Sequence, residues 1–258
     1  MTVTPTSIQL FYYSRTTGDL RHAWADITGW HFENLDGDVG AISHQTGNVG
    51  LYSAVINYSG NVQLYYSNQT TGQLRHAWTD ANGWHFENLD GGTGSISGQS
   101  DNVGVSPAVT LLGNSIQLYY GDATQKSLRH AWTESNGWHF ETLDGGGSKS
   151  ISGQSDSVGT NPSVTIYNNS IELVYYDQTA GILRHAWANN TGWHFEDLDG
   201  NATSISGRTA QVGIGSAIQV YQNSLQVFYY DQTDENLGHA WSDSSGWHFE
   251  NLGPQVIL

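Results

Sequence analysis

The chain has 258 residues, no cysteine and only 12% charged side chains, with 8 Lys+Arg against 24 Asp+Glu for a formal net charge of −16. Such a field repels phosphate backbones and anionic lipid heads, so nucleic acid and membrane surfaces are not expected partners. Disulfides and thiolate metal sites are excluded, and no apolar run reaches the roughly 18 residues of a bilayer span. Met1-Thr-Val-Thr-Pro-Thr-Ser7 has no basic region followed by an apolar stretch. No secretory signal is therefore expected, and the expected location is the cytoplasm or a non-classical route of release.

The N-terminal residues Met1–Thr4 read as a shortened strand, followed by Ile8-Gln-Leu-Phe-Tyr-Tyr13 and then Leu20-Arg-His-Ala-Trp24. That last motif returns at Leu74, Leu128 and Leu183, and as Leu-Gly-His-Ala-Trp at Leu237, with spacings of 54, 54, 55 and 54 residues. Gly-Trp-His-Phe-Glu follows each copy, with its Trp at Trp30, Trp84, Trp138, Trp193 and Trp247. A period this long and this regular marks one supersecondary unit repeated in an array.

The second repeat shows the plan. Leu51–Tyr58, Val62–Tyr66, Gln73–Thr79 and Trp84–Leu89 are short, rich in branched and aromatic residues, and separated by turn residues such as Ser59-Gly-Asn61 and Asn68-Gln-Thr-Thr-Gly72. No stretch has a usable helical period. Each repeat is thus four antiparallel strands, A to D. In strand B, Val62, Leu64 and Tyr66 alternate with Gln63 and Tyr65, so both faces carry large side chains and both need a neighbour. This predicts an all-β, five-bladed β-propeller forming one domain over 1–258, with blades near 1–37, 51–91, 105–145, 159–200 and 213–253. The tail Gln255–Leu258 either leaves closure to side-chain packing or adds a strand to the first blade.

Alternation places Leu20, His22 and Trp24 on one face of strand C and Arg21 and Ala23 on the other. On strand D it separates Trp30 and Phe32 from His31 and Glu33. The fifth repeat keeps His239, Trp241, Trp247 and Glu250 but has Gly238 for the Arg and Gly253 for the Asp of Asp36, Asp90, Asp144 and Asp199. Arg and Asp are therefore expected to pair across blade junctions. Metal and cofactor are not expected: five identical zinc sites in one small ring would be unusual, and the Asp-Gly loops lack the alternating oxygens of calcium sites. There is no Gly-x-Ser-x-Gly elbow and no phosphate loop, and the acidic residues recur at equivalent positions, Glu172 and Asp234-Glu235 excepted.

The pattern Ile-Gln-Leu-Tyr-Tyr … Leu-Arg-His-Ala-Trp … Gly-Trp-His-Phe-Glu resembles the repeats of tandem-repeat β-propeller lectins, the Aleuria-type fungal fucose-binding lectins and the Photorhabdus-type bacterial lectins. Those families have six and seven blades, against five repeats here. The resemblance implies sugar pockets between blades, with an Arg on strand B and a Glu on strand C gripping hydroxyls and an aromatic ring stacking on the sugar. The strand-B position is Gln9, Gln63, Gln117, Glu172 and Gln226 in this chain, and the strand-C position is His22, His76, His130, His185 and His239. The Arg/Glu pair is absent, so fucose specificity is not carried over. Gln and His still donate and accept hydrogen bonds.

The expected function is a multivalent, non-enzymatic carbohydrate-binding lectin with glycans as partners. The expected contacts are those strand-B and strand-C residues with Arg21, Arg75, Arg129 and Arg184. One Trp per site, from Trp24, Trp78, Trp132, Trp187 and Trp241 or from Trp30, Trp84, Trp138, Trp193 and Trp247, would be the stacking platform. Gly238 is expected to alter or remove one pocket. The alternatives are a protein-interaction propeller and a five-bladed glycosidase. The oligomeric state is not readable from the sequence.

Overall fold

The structure of the chain is a computed structural model that describes residues 1–4 and 7–254. Its elements are twenty β-strands in five sheets of four. The sheets comprise β1(Thr2–Thr4) to β4(Gly29–Asp36), β5(Val49–Tyr58) to β8(Gly83–Asp90), β9(Val103–Leu112) to β12(Gly137–Gly145), β13(Val158–Tyr167) to β16(Gly192–Asp199), and β17(Val212–Tyr221) to β20(Gly246–Pro254). In each sheet the strands lie in sequence order. This is the all-β, five-bladed propeller expected from the repeat, including the three-residue strand at the N-terminus. The tail beyond residue 254, where a clasp strand was considered, lies outside the described residues.

The blades repeat because their registers repeat. Gln9 lies opposite Trp24 and Phe11 opposite His22, while His22 lies opposite Glu33 and Trp24 opposite His31. The same pairings recur at Gln63↔Trp78 and His76↔Glu87, and at Glu172↔Trp187 and His185↔Glu196. A register shift after the strand-C Leu, between Leu20 and Arg21 and at the equivalent points, is also repeated.

The chain divides into two compact units, residues 1–109 and 110–258. In the first, the seam between the first two blades is closed by Leu20 and Leu35 from one side and Val49, Val62, Leu64, Tyr66 and Ala77 from the other, with Trp84 and Phe86 against them. Trp30 and Phe32, the first blade's counterparts of Trp84 and Phe86, are 53% and 69% exposed. In the second unit, Tyr119, Leu128 and Leu143 meet Ile171, Leu173 and Tyr175. Val174, Leu183 and Leu198 meet Val212, Val227 and Tyr229. Both faces of the fourth blade are therefore buried, as the alternating large residues of strand B require.

The blades enter through a Val-Gly step at Gly50, Gly104, Gly159 and Gly213, all with φ between +85° and +110°. A Cβ on Gly159 would lie 2.7 Å from Leu128 Cα, and one on Gly213 2.9 Å from Leu183 Cα. Only glycine tolerates both the dihedral and the close approach.

Candidate functional site: the aromatic stack of each blade

Strands B, C and D assemble one constellation per blade. His22 directs Nδ1 to Glu33 Oε1 at 2.7 Å and Nε2 to Gln9 Oε1 at 2.5 Å. His76, His130 and His239 make the same pair of contacts, to Glu87 and Gln63, Glu141 and Gln117, and Glu250 and Gln226. His185 differs: its Nε2 meets a carboxylate, Glu172 Oε2, at 2.9 Å, and its Nδ1 meets Glu196 Oε1 at 2.9 Å. The strand-B glutamine is itself fixed, Gln9 Nε2 donating to Ser7 Oγ and Gln117 Nε2 to Ser115 Oγ.

The rings stack across the sheet. Phe11 lies on His22 at 4.6 Å and 4°, His22 on Trp24 at 4.9 Å, and Trp24 on His31 at 5.0 Å. All five blades repeat the His–Trp–His portion. The strand-D Trp of the following blade closes the seam. Trp84 meets His22 edge-on and donates Nε1 to Glu33 Oε1 at 3.0 Å. Trp193 does the same to His130 and Glu141, and Trp247 to His185 and Glu196.

This geometry redistributes the roles read from the sequence. The five strand-C His and strand-B Gln/Glu residues do meet, but they satisfy one another in a nearly buried network. Each of Trp24, Trp78, Trp132, Trp187 and Trp241 has an imidazole on both faces, so its face is no open platform and only its edge reaches solvent. Trp84, Trp193 and Trp247 pack across seams.

Two of the four strand-C arginines, Arg75 and Arg184, join the aspartate of the preceding blade as expected. Arg75 Nη1 reaches Asp36 Oδ2 at 2.5 Å across the first seam, with Tyr66 Oη donating to the same carboxylate at 2.6 Å. Arg184 Nη1 lies 2.9 Å from Asp144 Oδ2, which also accepts from Tyr175 Oη. Asp36 and Asp144 are fully buried, Arg75 is 1% exposed and Arg184 5%. These pairs lie buried in the seams. Arg21 is partly exposed and contacts Asp19 at 3.4 Å.

What surfaces is the far end of the stack, which the sequence reading passed over. His31 Nε2 contacts Thr28 Oγ1 at 2.8 Å and Asp26 Oδ1 at 3.1 Å, with a third of its side chain exposed. His85 pairs with Asp80, His139 with Asn136, His194 with Asn189 and Thr191, and His248 with Asp243. Hydrogen bonds from Thr28 and His31 hold the Asp26 carboxyl down at about 2, and those from Ser245 and His248 do the same for Asp243. Both are ionised acceptors at any physiological pH. The signal was available: a Trp-His dipeptide whose His lies five residues after an Asp, Glu or Asn, in every copy.

Burial pushes His76 and His130 below the ordinary imidazole value against the pull of Glu87 and Glu141. Burial acts the same way on His185, but two carboxylates outweigh it and its value is raised. One Gln-to-Glu difference thus sets the fourth blade apart.

No protein-family model and no curated protein matches the sequence. Solved structures do resemble the fold. A thermostable family-43 glycoside hydrolase aligns with 98% of this chain and 91% of its own at 13% identity and a TM-score of 0.51. A leech intramolecular trans-sialidase, solved with 2,7-anhydro-Neu5Ac, aligns with 91% of this chain at 14% identity and a TM-score of 0.50. A prolyl endopeptidase aligns with 99% at 8% identity and a TM-score of 0.54. The chain spans about a third of the length of the last two. These likenesses concern the fold.

They correct one expectation. The absence of a catalytic motif was read as the absence of an enzyme, yet the same propeller architecture is found in glycoside hydrolases and a trans-sialidase. The physical reason is that a glycosidase needs two carboxyl groups placed in space, which leave no local sequence motif.

Proposed function

We propose that this chain recognises glycans, through equivalent sites repeated blade by blade. The observation that carries the reading is the aromatic stack that ends, in all five blades, on a partly exposed imidazole beside a carboxylate or carboxamide. A pyranose presents a patch of C–H groups and a rim of hydroxyls. The outer ring of the stack suits the first and Asp26, Asp80, Asn136, Asn189 and Asp243 suit the second. The buried part, from Gln9 and His22 through Trp24 and their copies, holds that ring in place, and the Trp edge borders the ligand. The lectin-like repeat pattern and the carbohydrate-active propellers of similar fold support the same ligand class. Single sites of this kind are weak, and repetition adds avidity of roughly 10²–10⁴ where geometry permits simultaneous engagement. The test is a glycan array followed by calorimetric stoichiometry on the intact chain. Several sites per chain, weakened by alanine at His31 and its four copies, are expected; a blank array overturns the reading.

A second reading, a glycosidase, is favoured by one specific observation. Among the described residues, the fourth blade alone brings two carboxylates, Glu172 and Glu196, onto one histidine. A paired carboxyl site is what glycoside hydrolysis requires. Turnover of aryl glycosides that is abolished by Glu172→Gln and by Glu196→Gln separately would establish it; unchanged turnover in both variants would remove it.

A further inference from the structure

The fifth blade carries a feature that the rim sites do not use. Gly238 stands where the first four repeats have Arg21, Arg75, Arg129 and Arg184. A cavity of about 170 Å³ opens there, walled by Phe249 and the Tyr229 ring and bordered by Arg208, Asn236 and Asn251. That is several times the roughly 30 Å³ share of one water molecule.

The polar groups around it are not spent on one another. Asn236 is 4% exposed, and its Oδ1 is buried without a hydrogen-bond partner. A buried carbonyl left unpaired costs about 1–3 kcal/mol unless something completes it. Asn251 uses its Oδ1 to accept from the Gly253 N–H, which turns its amide group outward as a donor. Arg208 gives Nη2 to Asp199 Oδ2 at 2.6 Å, Nη1 to Asp231 Oδ2 and Nε to Asp199 Oδ1. A guanidinium has five N–H groups, so two remain to donate. Glu250 touches the edge of the hollow, but its carboxylate is turned to His239 on the opposite face of the sheet from Gly238 and Asn251.

Charge decides the class of ligand. The one guanidinium faces Asp199 and Asp231, with Asp234 3.7 Å away. The surroundings are net negative, so phosphate, sulfate and uronic or sialic carboxylates are repelled. What fits is a neutral ring with an apolar face for Phe249 or Tyr229, a hydroxyl to donate to Asn236, and oxygens to accept from Asn251 and Arg208. We propose that this pocket binds a single non-ionic sugar residue, and that the loss of the repeat's arginine opens a site instead of deleting one. The proposal rests on the glycan reading above but uses none of the rim residues.

The test is NMR of the intact ¹⁵N-labelled chain, following the side-chain amides of Asn236 and Asn251 during titration with the neutral methyl glycosides of glucose, galactose, mannose, fucose and N-acetylglucosamine. Saturable shifts of both amides with one of them are expected. Gly238→Arg should remove these shifts by filling the hollow. Since an added Cβ would meet the Tyr229 ring at 2.5 Å and that variant risks misfolding, Asn236→Ala is the second probe. It should weaken the fifth-blade site about tenfold, the loss of one well-made hydrogen bond, and leave rim binding unchanged. If sugars shift only rim residues, the pocket is refuted while the glycan reading stands. If no resonance shifts anywhere, both fall.

Discussion

Arg208 occupies, on Asp199, the place that a strand-C arginine occupies on the matching aspartates of two other seams. Arg75 meets Asp36 and Arg184 meets Asp144 from strand C of the following blade. In the fifth blade that position is Gly238, and Arg208 reaches Asp199 from the loop before the blade, while Tyr229 keeps its hydrogen bond to Asp199 Oδ2 at 2.6 Å. The buried carboxylate is the constant feature, and the cation is supplied from whichever segment can reach it. Removing the cation leaves a fully buried charge uncompensated. Arg75→Ala is therefore expected to cost about 3–5 kcal/mol. Arg208 is a third exposed, and solvent screens it, so Arg208→Ala should cost less, about 2 kcal/mol. Urea unfolding of both variants checks the order; equal and negligible losses would refute it.

His185 of the fourth blade should titrate differently from His76 and His130 of the second and third. His185 is raised above 6.5, whereas His76 and His130 are lowered below it. A raised histidine contributes stability fully below its unfolded value, lost as pH rises through the folded value. A lowered one contributes above the unfolded value, and that stability is lost as pH falls through the folded value. Glu172→Gln should bring His185 below 6.5 with the others. Proton-coupled NMR shifts of the imidazoles read this directly, and an unmoved His185 in that variant would show that Glu172 is not the cause.

Much of this was legible in the sequence, because repetition amplifies weak signals. A strand such as Val62-Gln-Leu-Tyr-Tyr66 is ambiguous once, but not when its pattern of alternating apolar residues returns five times at spacings of 54 or 55 residues, and the same repetition exposed Gly238 and Gly253 as departures. The Arg–Asp pairing was readable for the same reason, since both partners vanish from one repeat. The stack was not. Alternation correctly puts His22 with Trp24 and His31 with Glu33, but it says nothing of ring planes, so it could not show that Trp24 lies between two imidazoles. Nor could it show Arg208 taking the role of the missing arginine, because a loop residue has no counterpart to be compared with.

The Val-Gly steps give a backbone prediction. Gly213 has φ +110° and faces Leu183, its virtual Cβ 2.9 Å from the Leu183 Cα. Alanine there must adopt a disfavoured dihedral and displace backbone in a seam. Strain of this kind costs on the order of 1–3 kcal/mol, so Gly213→Ala should lower the midpoint of urea unfolding. Gly207→Ala, also at positive φ but with open space around its Cβ, should cost less. A reversed order would mean that contact with Leu183 is not what demands glycine.

The rim sites make a graded prediction. Asp26 and Asp243 stay ionised down to pH values near 2 because Thr28 or Ser245 and a histidine hydrogen-bond to the carboxylate. Glycan binding through them should therefore persist to about pH 4, with no step from aspartate protonation. Replacing one rim histidine, His31→Ala, removes one of five sites and should lower avidity on a dense glycan surface by less than tenfold. Replacing His31, His85 and His248 together should lower it by one to two orders of magnitude, as engagement falls from several sites to few. None of these side chains is buried, so thermal stability should barely change. Surface plasmon resonance on sparse and dense glycan layers distinguishes the cases: a single variant that abolishes binding on both would mean one dominant site, and the repeated rim would then have no part in recognition.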